Sequence, residues 1–226
     1  PVSELIISLF PYTLELAFAS ILLAVLIGVP IGIISALKRN TMTDGLLRIF
    51  ALLGISIPAF FLGILLLLAF SLKMPVFPSI GAGKGLADNL YHLVLPAFSL
   101  ALIEAGLMMR ITRSTMLDQV NQDYVRTARA KGIPEGKVIY KHVLRNTLIP
   151  VVTVIGLDIT SLISGAVLTE TVFSRPGLGS LAVGSISTRD FPTLQACLIL
   201  FTVLVLIVNL VVDISYSLIN PKIRSH

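Results

Sequence analysis

The chain has 226 residues, of which 55% are hydrophobic and only 13% charged, with a mean hydropathy of +0.95. A soluble domain carries about 25% charged residues, so a soluble core is excluded and lipid must solvate much of this surface. The net charge of +5 does not signal nucleic acid, because the bases sit between apolar runs without interleaved aromatics, and the single cysteine, Cys197, excludes an internal disulfide and a cysteine metal cluster.

Residues 1–12 carry no basic n-region of a signal peptide. The first charge-free run is 16–37, with Gly28, Pro30 and Gly32 inside it, and the second is 49–72, with Gly54 and Pro58. Each meets the roughly 20 apolar residues that a spanning helix needs. Such breakers are tolerated in membrane helices, where neighbouring helices satisfy the freed backbone groups and small residues allow close approach. Pro75, Pro78, Gly81, Gly83 and Gly85 follow as a turn-rich loop.

A third span is expected over 93–109, interrupted by Glu104, and a fourth over 148–169, interrupted by Asp158. At helical rise the two acids lie about 16 Å and about 15 Å into their spans, near the middle of a core about 30 Å thick. A carboxylate there costs about 2.5–3.5 kcal/mol, so it must face a partner or a wet path. Two roles stay open: lining a translocation pathway, or making a polar contact between helices or with a second subunit. Glu170 and Asp213, at or near span ends, read as interfacial hydrogen-bonding groups. Arg175, Pro176, Gly177 and Gly179 read as a turn, and 191–212 is the fifth span.

Between the third and fourth spans lies a basic stretch, 114–147, too polar to span. It divides at Gly132. Ahead of it, Asp123 suits a helix cap, Tyr124 to Lys131 a short helix, and Gly132 the C′ position that ends it. Beyond it, Pro134 suits the first turn of a second helix running to about Arg145. Thr127, Ala128 and Ala130 keep the first helix slim, and Arg126 and Arg129, three apart, share a face. The residues alone leave two readings: a basic loop held at lipid headgroups, or an element that docks into a partner.

Thirteen bases fall on one side of these spans, namely Lys38, Arg39, Arg48, Arg110, Arg113, Arg126, Arg129, Lys131, Lys137, Lys141, Arg145, Lys222 and Arg224, and four on the other, namely Lys73, Lys84, Arg175 and Arg189. The positive-inside rule makes the first side cytoplasmic. The N-terminal end is then outside and the C-terminal end inside, which predicts a further span ahead of Pro1. The expected fold is an all-α polytopic transmembrane helical bundle with five spans here and six in the parent chain, a single domain over 1–226.

Asp123-Tyr-Val-Arg-Thr-Ala-Arg-Ala-Lys-Gly-Ile133 resembles the EAA loop of ABC-transporter permease subunits. Lys141-His-Val-Leu-Arg-Asn-Thr-Leu-Ile-Pro150 is similar to the form found in the dipeptide/oligopeptide/nickel importer branch, as are Ser56-Ile-Pro-Ala-Phe-Phe-Leu-Gly63, Glu170-Thr-Val-Phe-Ser-Arg-Pro-Gly-Leu-Gly179 and Asn220-Pro-Lys-Ile-Arg224. Ala128, Gly132 and Leu144 match the general pattern, whereas Arg126 stands where it has Glu and Arg145 where it has Pro. The resemblance implies a type I ABC importer permease of a bacterial inner membrane. It implies a second permease, two cytoplasmic ATPase subunits that hold ATP and Mg, and an extracytoplasmic binding protein. It further implies that 114–147 is the coupling loop, with Asp123, Tyr124, Arg126, Thr127, Ala128, Arg129, Ala130, Lys131, Gly132 and Pro134 at the ATPase contact, and that the Arg175–Gly179 turn lies near an outer gate. On this reading Glu104 and Asp158 could attract a peptide's ammonium group or a metal complex. Dipeptides, longer peptides, nickel complexes and glutathione all belong to the branch.

The chain contains no Gly-x4-Gly-Lys-Ser/Thr run for nucleotide phosphates, and His92, His142 and His226 lack metal-ligand spacing. It is therefore not expected to be an enzyme or to bind a cofactor or a metal of its own. The alternative function is a secondary transporter or channel subunit, but no paired inverted repeat is detectable.

Overall fold

The computed structural model describes residues 1–219, with the side chains at 157, 160, 163, 164, 213 and 215–219 not among those described. The side chain of Asp213, the bases Lys222 and Arg224, and the 220–224 motif lie outside the described residues. Nine α-helices occur among the described residues: α1 (Val2–Leu37), α2 (Met42–Ser56), α3 (Ala59–Leu67), α4 (Leu86–Val120), α5 (Asp123–Ala130), α6 (Glu135–Lys137), α7 (Leu144–Val172), α8 (Leu178–Thr188) and α9 (Phe191–Ile219). Wider π-type turns extend α3 over Leu68–Lys73 and join α6 to α7 over Val138–Val143. Among the described residues four helices are long and apolar enough to cross a membrane, and the pair formed by α2 and the extended α3 makes a fifth candidate.

That pair corrects the expected second span. Over 49–72 the chain is not one helix but two, bent by 98°. The break is at Ile57, which is extended at φ −96° and ψ 123°. Pro58 causes it, because a proline ring disfavours helical backbone in the residue before it. The other spans outgrow their expected limits. At 36 residues, α1 is about 54 Å long at helical rise, and Pro11 and Pro30 both lie within it. The stretch expected as a loop from 114 onward is helical at first, since α4 continues to Val120.

α1 and α4 form the centre of the bundle. α2 and α3 pack on α4, α7 packs on both α1 and α4, and α8 and α9 pack on α7. The reason lies in a stripe along α1 in which every fourth residue is buried: Leu16, Ser20, Ala24, Gly28, Gly32 and Ala36. Residues four apart share one helical face. α4 answers with Ala97, Ala101 and Ala105, also buried. A Cβ on Gly28 would stand 2.5 Å from the Ala105 carbonyl oxygen, and one on Gly32 would stand 2.7 Å from that of Met109. On another side of α4, a Cβ on Gly106 would stand 2.7 Å from the carbonyl oxygen of Ala51 in α2. Small residues let these backbones touch, which is how helices gain packing energy without a hydrophobic driving force.

Gly28→Leu should therefore cost about 1–3 kcal/mol of stability through overpacking. This is measurable as a lowered Tm in detergent. Gly136→Ala, where an added Cβ meets nothing within 4 Å, should leave Tm unchanged.

The helix ends are set locally. Asp190 caps α9: its carboxylate accepts from the Thr193 backbone N–H at 3.2 Å and the Thr193 hydroxyl at 2.6 Å. These bonds hold the Asp190 carboxyl below its usual pKa. α8 falls where a loop would be read, because its Leu-Gly-Ser-Leu-Ala-Val-Gly-Ser-Ile-Ser-Thr run is small and weakly apolar.

Candidate functional site

Three groupings carry the chemistry. The first is at the end of the bundle where most bases gather. Val125 and Ala128 of α5 are buried with Ala36, Met116, Val138, Ile139 and Val143, so one apolar cluster ties the short helix to the ends of α1 and α4 and to the turn before α7. Asp123, Tyr124, Arg126, Thr127, Arg129, Ala130, Lys131, Gly132 and Pro134 are exposed. This splits the expected contact set. Ala128 roots the helix in its own subunit, while the other nine residues form an outward surface.

Asp123 is not the cap. It is the first helical residue, behind Gln122, and no side chain caps the helix. Its carboxylate lies 3.7 Å from Arg126, a pair exposed on both sides. The other end forms as expected. Gly132 is at φ +73°, its N–H donates to the Arg129 carbonyl at 2.9 Å, and the Ile133 N–H donates to the Ala128 carbonyl at 3.3 Å. This is a Schellman closure, which favours glycine at C′. Pro134 precedes α6 rather than sitting in its first turn, and the second helix does not stop near Arg145 but runs on through the wide turn into α7. Arg129 grips Glu135 with two bonds, Nε at 3.1 Å and Nη2 at 2.7 Å. The Tyr124 hydroxyl donates to Gln119 at 2.8 Å. One end of α5 is thus tied to α4 and the other to α6.

Beside this cluster stands an ion pair that sequence reasoning missed. Asp44, 1% exposed, accepts from Arg113 Nε at 2.8 Å and Nη2 at 2.7 Å, from the Ser35 hydroxyl at 2.5 Å and from the Asn40 N–H at 3.1 Å. One carboxylate thus fastens the ends of α1, α2 and α4. Asp44→Ala should cost about 3 kcal/mol, because removing one partner of a buried pair strands the other. A denaturant or thermal titration in detergent would read it, with Arg39→Ala as the exposed control.

The second grouping is the pair of mid-span acids. Glu104 and Asp158 line the same small cavity of about 10 Å³, with Ile21, Ala24, Val25, Met108, Ile155 and Leu162, and interact with each other there. Glu104 Oε2 and Asp158 Oδ2 are buried without a further partner. The two acids therefore meet where α1, α4 and α7 pack, in apolar surroundings.

The third is at the opposite end. Glu170 is fully buried, not an interfacial group as its position suggests. Its carboxylate accepts from the Thr13 hydroxyl at 2.6 Å and from the N–H groups of Gly179 at 2.8 Å and Ser180 at 3.1 Å. The N–H groups of the first turn of α8 have no partner within their helix, and Glu170 supplies one from α7. Gly177 has no side chain because the Glu170 carboxylate occupies the place of a Cβ. The Leu178 N–H donates to the Thr13 oxygen at 2.9 Å. Arg175, also fully buried, donates from Nη2 to Glu15 at 3.0 Å and to Asn89 at 2.8 Å and lies 5.6 Å from the Tyr12 ring centroid. Burial pushes its pKa below the usual arginine value, and Glu15 and Glu170 oppose that shift. Arg175, Gly177 and Gly179 are thus brought together with residues of α1, α4 and α7 far away in sequence. Pro176 lies between Arg175 and Gly177 without a polar contact of its own.

Among the described residues no three His, Cys, Asp or Glu side chains converge to hold a metal ion.

The chain matches the family described as binding-protein-dependent transport system inner membrane component over residues 28–225. It is 42% identical over 229 residues to the oligopeptide transport system permease protein AppB of Bacillus subtilis, covering 99% of this chain and 72% of that protein. It is 45% identical over 224 residues to the glutathione transport system permease protein GsiC of Escherichia coli K12, with the same coverage. Its fold resembles a chain of the inward-facing MetNI methionine ABC transporter, with a TM-score of 0.80 at 18% identity over 97% of this chain and 98% of that one. It also resembles a chain of an amino acid ABC transporter, with a TM-score of 0.71 at 16% identity over 94% and 92%.

Proposed function

This chain belongs to the family of binding-protein-dependent transport system inner membrane components and is a permease subunit of an ABC importer, and we propose that it forms half of a translocation pathway for peptides delivered by an extracytoplasmic binding protein. The oligopeptide and glutathione assignments of its relatives support peptide cargo over nickel. A second homologous permease supplies the other half. Two ATPase subunits in the cytoplasm hold ATP and Mg and perform the hydrolysis, and this chain binds no cofactor. The basic end of the bundle is cytoplasmic, with the N-terminal end of this chain outside and the C-terminal end inside a bacterial inner membrane.

The observation that carries the mechanism is the construction of α5. Its exposed surface is the ATPase contact, within a single membrane domain whose 114–147 segment couples the two. A lever must be stiff, and α5 is rooted by Val125 and Ala128, closed at Gly132 and continued through α6 into α7. Closure of the ATPases moves the α5 surface, and α7 carries that motion towards Glu170 and the α8 cap.

At that far end, the buried polar lock of Thr13, Glu170 and Arg175, with Pro176, Gly177 and Gly179 shaping the turn, forms the outer gate. For Glu104 and Asp158, the shared small cavity and its apolar walls favour a polar contact between helices over a pathway lining. Affinity purification of the tagged chain from native membranes tests the assembly. A second permease and two ATP-binding subunits should co-purify, and recovery of the chain alone under mild detergent would contradict the reading.

A further inference from the structure

A cavity of about 710 Å³ shares only Arg113 with the groupings described above. It opens between α2 and α4 at the basic end and is lined by Gly45, Arg48, Ile49, Ala51, Leu52, Ile55, Met109, Arg110, Arg113 and Ser114. Its lining contains three guanidinium groups and no acid. Arg113 is held by Asp44 through Nε and Nη2. Arg48 and Arg110 are exposed, and neither takes part in an ion pair among the described residues. The positive charge is therefore uncompensated from within.

Charge and apolarity are also ordered along the cavity. Arg48 lies midway along α2, and Arg110, Arg113 and Ser114 lie in the last third of α4. One to two turns further along α2 come Ala51, Leu52 and Ile55. Leu52 is 63% exposed and Ile49 56% exposed, and their neighbours Leu53 and Phe50 are also exposed. A molecule that fits has an anionic head for the arginines and a hydrocarbon tail for the α2 wall, in the orientation of a lipid whose headgroup sits at the membrane surface. Basic pockets between spanning helices bind anionic headgroups by the same chemistry, and arginine suits phosphate through its planar fork of donors.

We propose that this cavity is a binding site for one anionic phospholipid, its phosphate held by Arg48 and Arg110 and an acyl chain laid along Ile49, Leu52 and Ile55. The leaflet rests on the topology proposed above, but the site itself rests only on the lining. Bound there, the lipid would clamp α2 to α4.

Native mass spectrometry of the intact transporter, purified in detergent and supplied with dioleoylphosphatidylglycerol or dioleoylphosphatidylethanolamine, tests this. Phosphatidylglycerol should be retained about tenfold more than phosphatidylethanolamine, and the Arg48→Gln/Arg110→Gln variant should lose about that preference. Its unliganded Tm should match wild type, since both side chains are exposed. Equal retention of the two lipids, or unchanged retention by the variant, would overturn the proposal. Displacement of the lipid by inorganic phosphate at low millimolar concentration would also overturn it, by showing that the tail contributes nothing. So would protection of a Leu52→Cys thiol from a maleimide in the delipidated transporter, since a neighbouring subunit would then cover the wall. Co-purification of the partner subunits is read separately, so failure of the lipid proposal leaves the importer reading intact.

Discussion

Glu170→Ala is expected to lower the stability of the folded chain by about 3 kcal/mol or more, since it strands several buried donors at once. The Thr13 hydroxyl and the N–H groups of Gly179 and Ser180 all donate to this carboxylate, and the apolar core around them offers no replacement. The fully buried Arg175 nearby would also lose a compensating charge. Glu170→Gln keeps one acceptor oxygen and should cost about half as much. A thermal melt in detergent orders the three proteins, and proteolysis at 174–180 localises the damage. Equal stability of wild type and Glu170→Ala would mean that α8 is held by something else.

The second large effect concerns transport rather than stability. Thr127→Trp combined with Ala130→Trp adds bulk to the exposed face of α5 while leaving Val125 and Ala128 in their buried cluster. In a reconstituted importer this double variant should lower ATP-driven uptake at least about tenfold, the cost of about 1.4 kcal/mol in docking, with Tm unchanged. Ala128→Glu is a poorer probe, because it places a carboxylate in the apolar root and would disturb the fold as well as the contact. Uptake by the double tryptophan variant equal to wild type would remove α5 from the contact.

Comparing particular elements shows what a single sequence can carry. Long apolar runs name spans because lipid imposes a length on them, and α1, α4, α7 and α9 each contain the run that marks them, with one acid inside the runs of α4 and α7. The C-terminal closure of α5 was legible because a glycine after a short polar helix has a local mechanism. The bend at Pro58 was not, since proline in a membrane helix is tolerated as often as it breaks one. Neither was the burial of Glu170: near a span end it looks interfacial, and its partner Thr13 is 157 positions away. The Asp44–Arg113 pair spans 69 positions, and Arg113 alone reads as one more positive-inside charge. Side chains that act through distant partners leave no periodic trace, and here they secure both ends of the bundle. The mid-span acids fall between these cases. Their cost in lipid demanded a partner or a wet path, and the structure brings both acids to one small cavity.

The central claim is that the exposed face of α5 is the point where ATP hydrolysis meets the membrane domain. A photo-cross-linking amino acid placed at Thr127 in the intact transporter, irradiated in native membranes and resolved by mass spectrometry, tests it most directly. One dominant adduct is expected, to an ATP-binding subunit, with a yield that changes when ATP is trapped. Cross-links confined to lipid, or spread over unrelated proteins regardless of nucleotide, would contradict it.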